Sequence, residues 1–348
     1  MSIKRTIYAK CRMLLALTLI VMTLFAISSC EKEKEVVSKT SIDVYIIAGQ
    51  SNAVGHTKIS DRKALLKDMP QLEDGYKNVL YTSHSRMQNQ PELEHRFVPW
   101  QGVTLDLGRK EGFMGPEVGM AKVLSKFYEK TDSDVGFIKC GHGGTSLLNH
   151  KTGIHANGNW VSPSYAEYLK VSYKEEDITG KLYRDLITSV YTSISELKDL
   201  GYTQINIKGL YWMQGETDLP KEVEYEIAFK FFAQDIRRDL SAKMKEFTNS
   251  DDDLGASNLP ILIGAVSSGF NLIDENREEV TNKPFIDMQK KLPSLIDNCY
   301  LVDNSTYMIT DYIDGKLVVY GSDKMHWNQD QMLSIGEDIG NIIIEHCY

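Results

Sequence analysis

Beyond residue 41, short apolar runs rich in Ile, Val and Tyr alternate with longer runs in which apolar residues recur at three- to four-residue spacing. The first pattern predicts strands and the second amphipathic helices. The first predicted strand, residues 42–48, is closed by Gly49. Residues 115–130 open on Gly-Pro, with Pro116 in the first turn, and line up Val118, Ala121, Val123, Leu124 and Phe127 for one helix face. There follow a strand at 135–140, a helix at 182–200, a strand at 205–213, a helix at 223–247 and a strand at 260–266. A short helix around 285–292, a strand at 300–303 and a last helix from Gln329 complete the series.

Five such βα units predict an α/β fold, a three-layer αβα sandwich around a doubly wound parallel sheet of about five strands. Sheets of this kind bind ligands outside the carboxyl ends of their strands, so chemistry is expected just after strands. Residues 83–114 and 148–180 show no regular pattern, and loops of that length in a compact domain predict walls of a binding cleft.

A composition of 42% hydrophobic and 25% charged residues is that of a chain able to bury a sizeable core. The net charge of −9 argues against a nucleic-acid partner, which needs a basic face. The balance is more acidic still without the first 29 residues, which hold Lys4, Arg5, Lys10 and Arg12 and no acid. That stretch has the grammar of an export signal: a basic start, an apolar run over 13–27, then Ser28 and Ser29 before Cys30. Ile27-Ser28-Ser29-Cys30 resembles a bacterial lipobox, which implies lipidation at Cys30 and a charged tether after it. A plain secretory signal or an uncleaved anchor is the other reading, although the run is short for a span of ~20 residues. The expected organisation is therefore a signal over 1–30, a tether over 31–41 and one catalytic domain over 42–348. The product is an exported protein that meets a bacterial membrane only through its N-terminal anchor. Beyond Cys30, three cysteines remain (Cys140, Cys299 and Cys347), enough for one disulfide, and no Cys/His cluster predicts a metal.

Four motifs fall at predicted strand ends or just before the last helix. Gly49-Gln50-Ser51-Asn52-Ala53 lifts a serine out of the first strand, where its hydroxyl can attack a carbonyl. Asp323-Lys324-Met325-His326 places a carboxylate three residues before an imidazole, a spacing at which one ring nitrogen can be held while the other faces a serine. Gly141-His142-Gly143-Gly144-Thr145-Ser146 supplies backbone N–H groups able to approach an oxyanion, and it lacks the GK[ST] of a phosphate loop. Trp212-Met213-Gln214-Gly215-Glu216-Thr217-Asp218 offers the Gln214 amide as a side-chain donor.

Together with Gly115-Pro116-Glu117, these motifs in this order resemble the SGNH hydrolases grouped as the sialic-acid-specific acetylesterase domain and carbohydrate esterase family 6. The likeness runs from about Asp43 to the C-terminus. It implies a flavodoxin-like sandwich and cofactor-free, metal-free hydrolysis of acetyl esters on sugars. It also implies Ser51 as nucleophile, His326 as base and Asp323 as its orienter. The oxyanion hole would be built from Ser51 N–H, Gly143 or Gly144, and Gln214. Glu216 is the rival orienting carboxylate, although a structural role holding the Gln214 loop is the stronger reading. Gln50, Asn52, His142 and Glu216 are candidate substrate contacts, and Trp160 and Trp100 candidate sugar-stacking residues. Met213 and Ala53 depart from the usual family pattern without touching the proposed chemistry.

The expected partner is an acetylated glycan, either xylan-type or an O-acetylated sialic acid. Two other readings are a non-catalytic glycan-binding lipoprotein and an esterase or lipase for aliphatic esters. Oligomeric state is not legible in the chain.

Overall fold

The computed structural model describes residues 39–83, 97–150, 158–269, 282–314 and 316–348. The signal, Cys30 and most of the tether lie outside the described residues. Residues 39–348 form one compact unit.

The strands are β1 (Ser41–Gly49), β2 (Thr57–Lys58), β3 (Val79–Ser83), β4 (Val98–Gly102), β5 (Phe113–Met114), β6 (Ser133–Gly141), β7 (Gln204–Met213), β8 (Ile261–Gly264), β9 (Cys299–Val302), β10 (Thr310–Ile313) and β11 (Lys316–Val319). The helices are α1 (Ser51–Val54), α2 (Arg62–Asp68), α3 (Gln71–Asp74), α4 (Glu117–Tyr128), α5 (Pro163–Tyr168), α6 (Lys181–Asp199), α7 (Glu222–Thr248), α8 (Lys283–Lys291) and α9 (Gln329–His346). The main sheet runs β4-β3-β6-β1-β7-β8-β9, all parallel except the edge strand β4, which is antiparallel to β3.

The five predicted strands are β1, β6, β7, β8 and β9, and they pair as a doubly wound sheet should. The chain adds β3 and β4 on the outer side of β6. Two stretches read as irregular prove partly regular, since β4 and β5 fall within 83–114 and α5 within 148–180. These elements escape a periodicity reading because they are only two to six residues long.

Along β1 the side chains alternate between two apolar layers. Ile42, Val44, Ile46 and Ala48 join the core under α6, α7 and α8, while Tyr45 and Ile47 join the core under α4 and α9. Both faces of the central strand are buried along its whole length, as a parallel sheet covered by helices requires. Each fully buried Ile, Val or Leu contributes about 1.5–3 kcal/mol. Helices α4 and α9 approach closely at two glycines. A Cβ on Gly119 would strike the Leu333 carbonyl, and one on Gly336 the Pro116 carbonyl.

Register then decides where the loops emerge. Gly49 at the end of β1 lies level with Gly141 of β6 and with Met213 of β7. Residues 50–52, 142–146 and 214–218 therefore leave the sheet side by side at its carboxyl edge, as the strand-end motifs predict. Cys140, Cys299 and Cys347 are buried free thiols. Among the described residues no helix is long and apolar enough to cross a membrane.

Candidate active site

Gly49 turns the chain out of the sheet with φ +138°, and a Cβ there would collide with the Met213 carbonyl. The turn is fixed by Gln50 N–H donating to Met213 O at 2.9 Å, and Ser51 then opens α1. The Ser51 hydroxyl makes no hydrogen bond to any described residue, although the residue is only 9% exposed. Under this short helix lies a buried ion pair, Lys139 Nζ to Glu117 Oε2 at 2.7 Å. The same ammonium donates to Val54 O at 3.0 Å and Leu107 O at 3.3 Å, tying the end of α1 to its surroundings.

The imidazole comes from the other end of the domain. His326 Nδ1 meets the Asp323 carboxylate at 2.9 and 3.0 Å, and the backbone N–H groups of Met325 and His326 donate to Asp323 Oδ1 at 2.7 and 2.8 Å. Partial burial pushes the Asp323 pKa up. The hydrogen bond and charge of His326 and the two backbone donors outweigh that and bring it down to about 2. Asp323 is therefore a carboxylate at any working pH.

His56 joins the two halves. Its N–H donates to Ser51 O at 3.2 Å, and its ring lies against that of His326 with centroids 4.8 Å apart. Burial, helped by the nearby His326 and Arg109 charges, lowers its pKa to about 3, so it is neutral. A second tie runs from Thr57 Oγ1 to Trp327 O at 3.0 Å. Sequence reading did not single out His56. The only available signal was its position five residues after Ser51.

The third loop is a braced network. Asp218 accepts from Ser146 Oγ, from Leu147 N–H at 2.8 Å and from Gln214 Nε2 at 2.8 Å. Gln214 Nε2 also donates to Thr145 O at 3.0 Å. Both amide hydrogens thus have protein acceptors, and the reverse amide orientation would set its oxygen against the Asp218 carboxylate. Gln214 holds the 142–146 loop to the 214–218 loop, an arrangement that leaves no side-chain hydrogen for a substrate oxyanion.

Several candidate contacts are likewise turned inward. Gln50 Oε1 accepts from Thr217 N–H at 3.3 Å. Asn52 Nδ2 donates to Glu216 Oε1 at 2.8 Å, and Glu216 is buried, its pKa raised first of all by that burial. Asp323, not Glu216, is hydrogen-bonded to the His326 ring. His142 is buried, and its N–H donates to Gly49 O at 2.8 Å. Gly143 and Gly144 are partly exposed, with Gly144 at φ +65°. Trp160 is 1% exposed, donates to Thr145 Oγ1 at 2.8 Å and packs edge-on against Trp212, so it is a core residue rather than a sugar platform. Trp100 packs on the core and donates to Ser193 O at 3.1 Å. A cleft of about 870 Å³ lies elsewhere, between residues 173–188 and α7, and contains none of these residues.

A serine at the carboxyl edge of a doubly wound sheet, linked through His56 to an aspartate-held imidazole just ahead of the final helix, is the arrangement of an ester hydrolase of the SGNH class. The chain belongs to the family described as carbohydrate esterase, sialic acid-specific acetylesterase, whose model matches residues 41–345. It is a carbohydrate acetylesterase. Among solved structures it is similar to NanS, at 15% identity and a TM-score of 0.52, covering 89% of this chain and 98% of that one. A protein of Arabidopsis thaliana matches at 16% identity and a TM-score of 0.47 over 88% of this chain and 99% of the other. A carbohydrate acetylesterase from Xanthomonas citri matches at 14% and 0.45, over 88% of this chain and 56% of that one. No curated protein matches in sequence.

Proposed function

We propose that the chain removes acetyl groups from an acetylated glycan, a xylan-type polysaccharide or an O-acetylated sialic acid, through an acetyl-serine intermediate. The observation that carries this reading is His56. Its backbone N–H donates to the Ser51 carbonyl and its ring lies against that of His326, which supports a site shared by serine and base.

In the proposed cycle Ser51 Oγ attacks the acetyl carbon while His326 Nε2 takes the hydroxyl proton. The oxyanion is held by the N–H of Ser51 and that of Gly143 or Gly144. Collapse breaks the bond to the sugar oxygen, which leaves with the proton from His326. Water then attacks the acetyl-serine by the same route, giving acetate and free Ser51. Asp323 holds the imidazole tautomer and offsets its transient charge.

Acetate release from acetylated xylan, from O-acetylated sialic acid and from an aryl acetate tests the reading. The wild type should release acetate and Ser51→Ala should not. Hydrolysis surviving in Ser51→Ala would remove the acetyl-serine route. Export and lipid anchoring belong to the same proposal, drawn from residues 1–30. Palmitate labelling of the full chain in bacteria should be lost in Cys30→Ser, and labelling that persists would refute it.

A further inference from the structure

Of the two tryptophans that sequence offered as sugar platforms, Trp160 is interior and Trp100 is half-buried with its indole packed on the core, which leaves open what the glycan rests on. Among the described residues the large exposed aromatics are Phe97, Tyr168, Tyr320 and Tyr348. Tyr168 lies against Phe231 on the α5–α7 surface, and Tyr348 packs edge-on against Phe127. Phe97 precedes the edge strand β4. Tyr320 is different: it makes no ring contact with any described residue and belongs to the segment that carries Asp323 and His326.

That segment begins with the β10–β11 hairpin, a two-stranded ribbon outside the main sheet. It presents Ile313, Val319, Tyr320 and Met325 to solvent, an apolar run beside a polar triad. Exposed apolar surface of this kind gains free energy when a ligand covers it, and such a patch marks a candidate contact surface. The Tyr320 backbone is fixed on both sides. Its N–H donates to Ile309 O at 2.8 Å and its carbonyl accepts from Asn328 Nδ2 at 2.6 Å. The following turn is closed by Ser322 N–H to His326 O at 2.8 Å. Binding there need order only the side chain, because the backbone that carries it is already held. The Asp323 side chain, three residues after Tyr320, is 53% exposed, against 10% for its partner His326, so this segment is open to solvent beside the imidazole.

We propose that Val319, Tyr320 and Met325 form a subsite for the glycan chain beyond the acetylated sugar, with the apolar C–H face of a neighbouring pyranose stacked on the Tyr320 ring. This rests on the esterase reading of the adjoining site. The occupant is an oligosaccharide because the patch is continuous with the catalytic segment. A single sugar placed with its acetyl group at Ser51 gains nothing from it unless the chain continues.

The test measures kcat/KM along acetylated xylo-oligosaccharides of increasing length, and along glycans of increasing length that end in O-acetylated sialic acid. The wild type should improve with length on one series. Tyr320→Ala should lose roughly tenfold on the long members relative to the monosaccharide, the scale of one aromatic contact. Tyr320→Phe should keep the length dependence, since stacking needs the ring and not the hydroxyl. Leu200→Ala, an exposed apolar change near the start of β7, controls for nonspecific effects and should leave it intact. A wild type that cleaves aryl acetate with no gain from chain length on either series, or a Tyr320→Ala that keeps the full gain, overturns the subsite and leaves the esterase standing. Absence of acetate release from every substrate overturns the esterase reading instead. The subsite is then judged by calorimetry of the unacetylated oligosaccharides on Ser51→Ala, where adding Tyr320→Ala should weaken binding about tenfold and equal binding refutes it.

Discussion

The imidazoles of His56 and His326 lie against each other with ring centroids 4.8 Å apart and planes inclined by 37°. One is the proposed base. The other is a buried neutral ring whose backbone N–H is bonded to the Ser51 carbonyl.

His56 should make stability depend on pH. Its folded pKa of about 3 lies below the 6.5 of a free histidine, so between these values the unfolded chain binds the extra proton. The stabilising effect is complete above pH 6.5 and lost as pH falls toward 3, on the order of 5 kcal/mol across the window. Asp323 acts in the same direction in a lower window, from 3.8 down to about 2. Denaturant melts at several pH values should show a flatter profile between 6.5 and 4 for His56→Gln than for the wild type. Parallel profiles would show that His56 is not buried as a neutral ring.

Asp323→Asn should lower kcat on the order of 10⁴-fold by leaving the imidazole in the wrong tautomer. Glu216→Gln should cost far less, because Glu216 is engaged with Asn52. The reverse order in steady-state kinetics would transfer the orienting role to Glu216.

Gln214→Ala should act chiefly through stability. Removing the amide takes one donor from the buried Asp218 and one from Thr145 O, a loss of about 1–3 kcal/mol by chemical denaturation. A drop in kcat of roughly 10²–10³ with unchanged stability is the signature of a direct oxyanion donor and would contradict the bracing role.

Lys139→Met leaves the Glu117 carboxylate buried with Gly115 N–H as its remaining donor among the described residues and should destabilise by about 3–5 kcal/mol. The double change Lys139→Met with Glu117→Gln should recover much of this. A double change as unstable as the sum of the single ones would mean that the pair is not coupled.

What the sequence made legible follows from length and period. Strands β1, β6 and β7 announce themselves because they are nine or ten residues long and rich in β-branched and aromatic residues. Gly49, Ser51, Asp323 and His326 are readable because each follows a predicted strand or precedes a predicted helix. The hairpin β10–β11 was not, because its four-residue strands carry too few positions for alternation to show. The inward orientation of Gln214, Asn52 and Trp160 was not either. Which way an amide or indole points is decided by Asp218, Glu216 and Thr145, partners separated from it in sequence by up to 164 residues for Asn52 and Glu216.

The placement of β1 at the centre of the sheet has a temporal consequence. Its serine is among the first parts of the domain to be synthesised, while its imidazole stands just ahead of α9, the last helix, which must pack through Gly336 against α4. A ribosome releasing the chain from its N-terminus therefore delivers Ser51 long before His326, and on the proposed mechanism the polypeptide is inert until the final helix is free to dock.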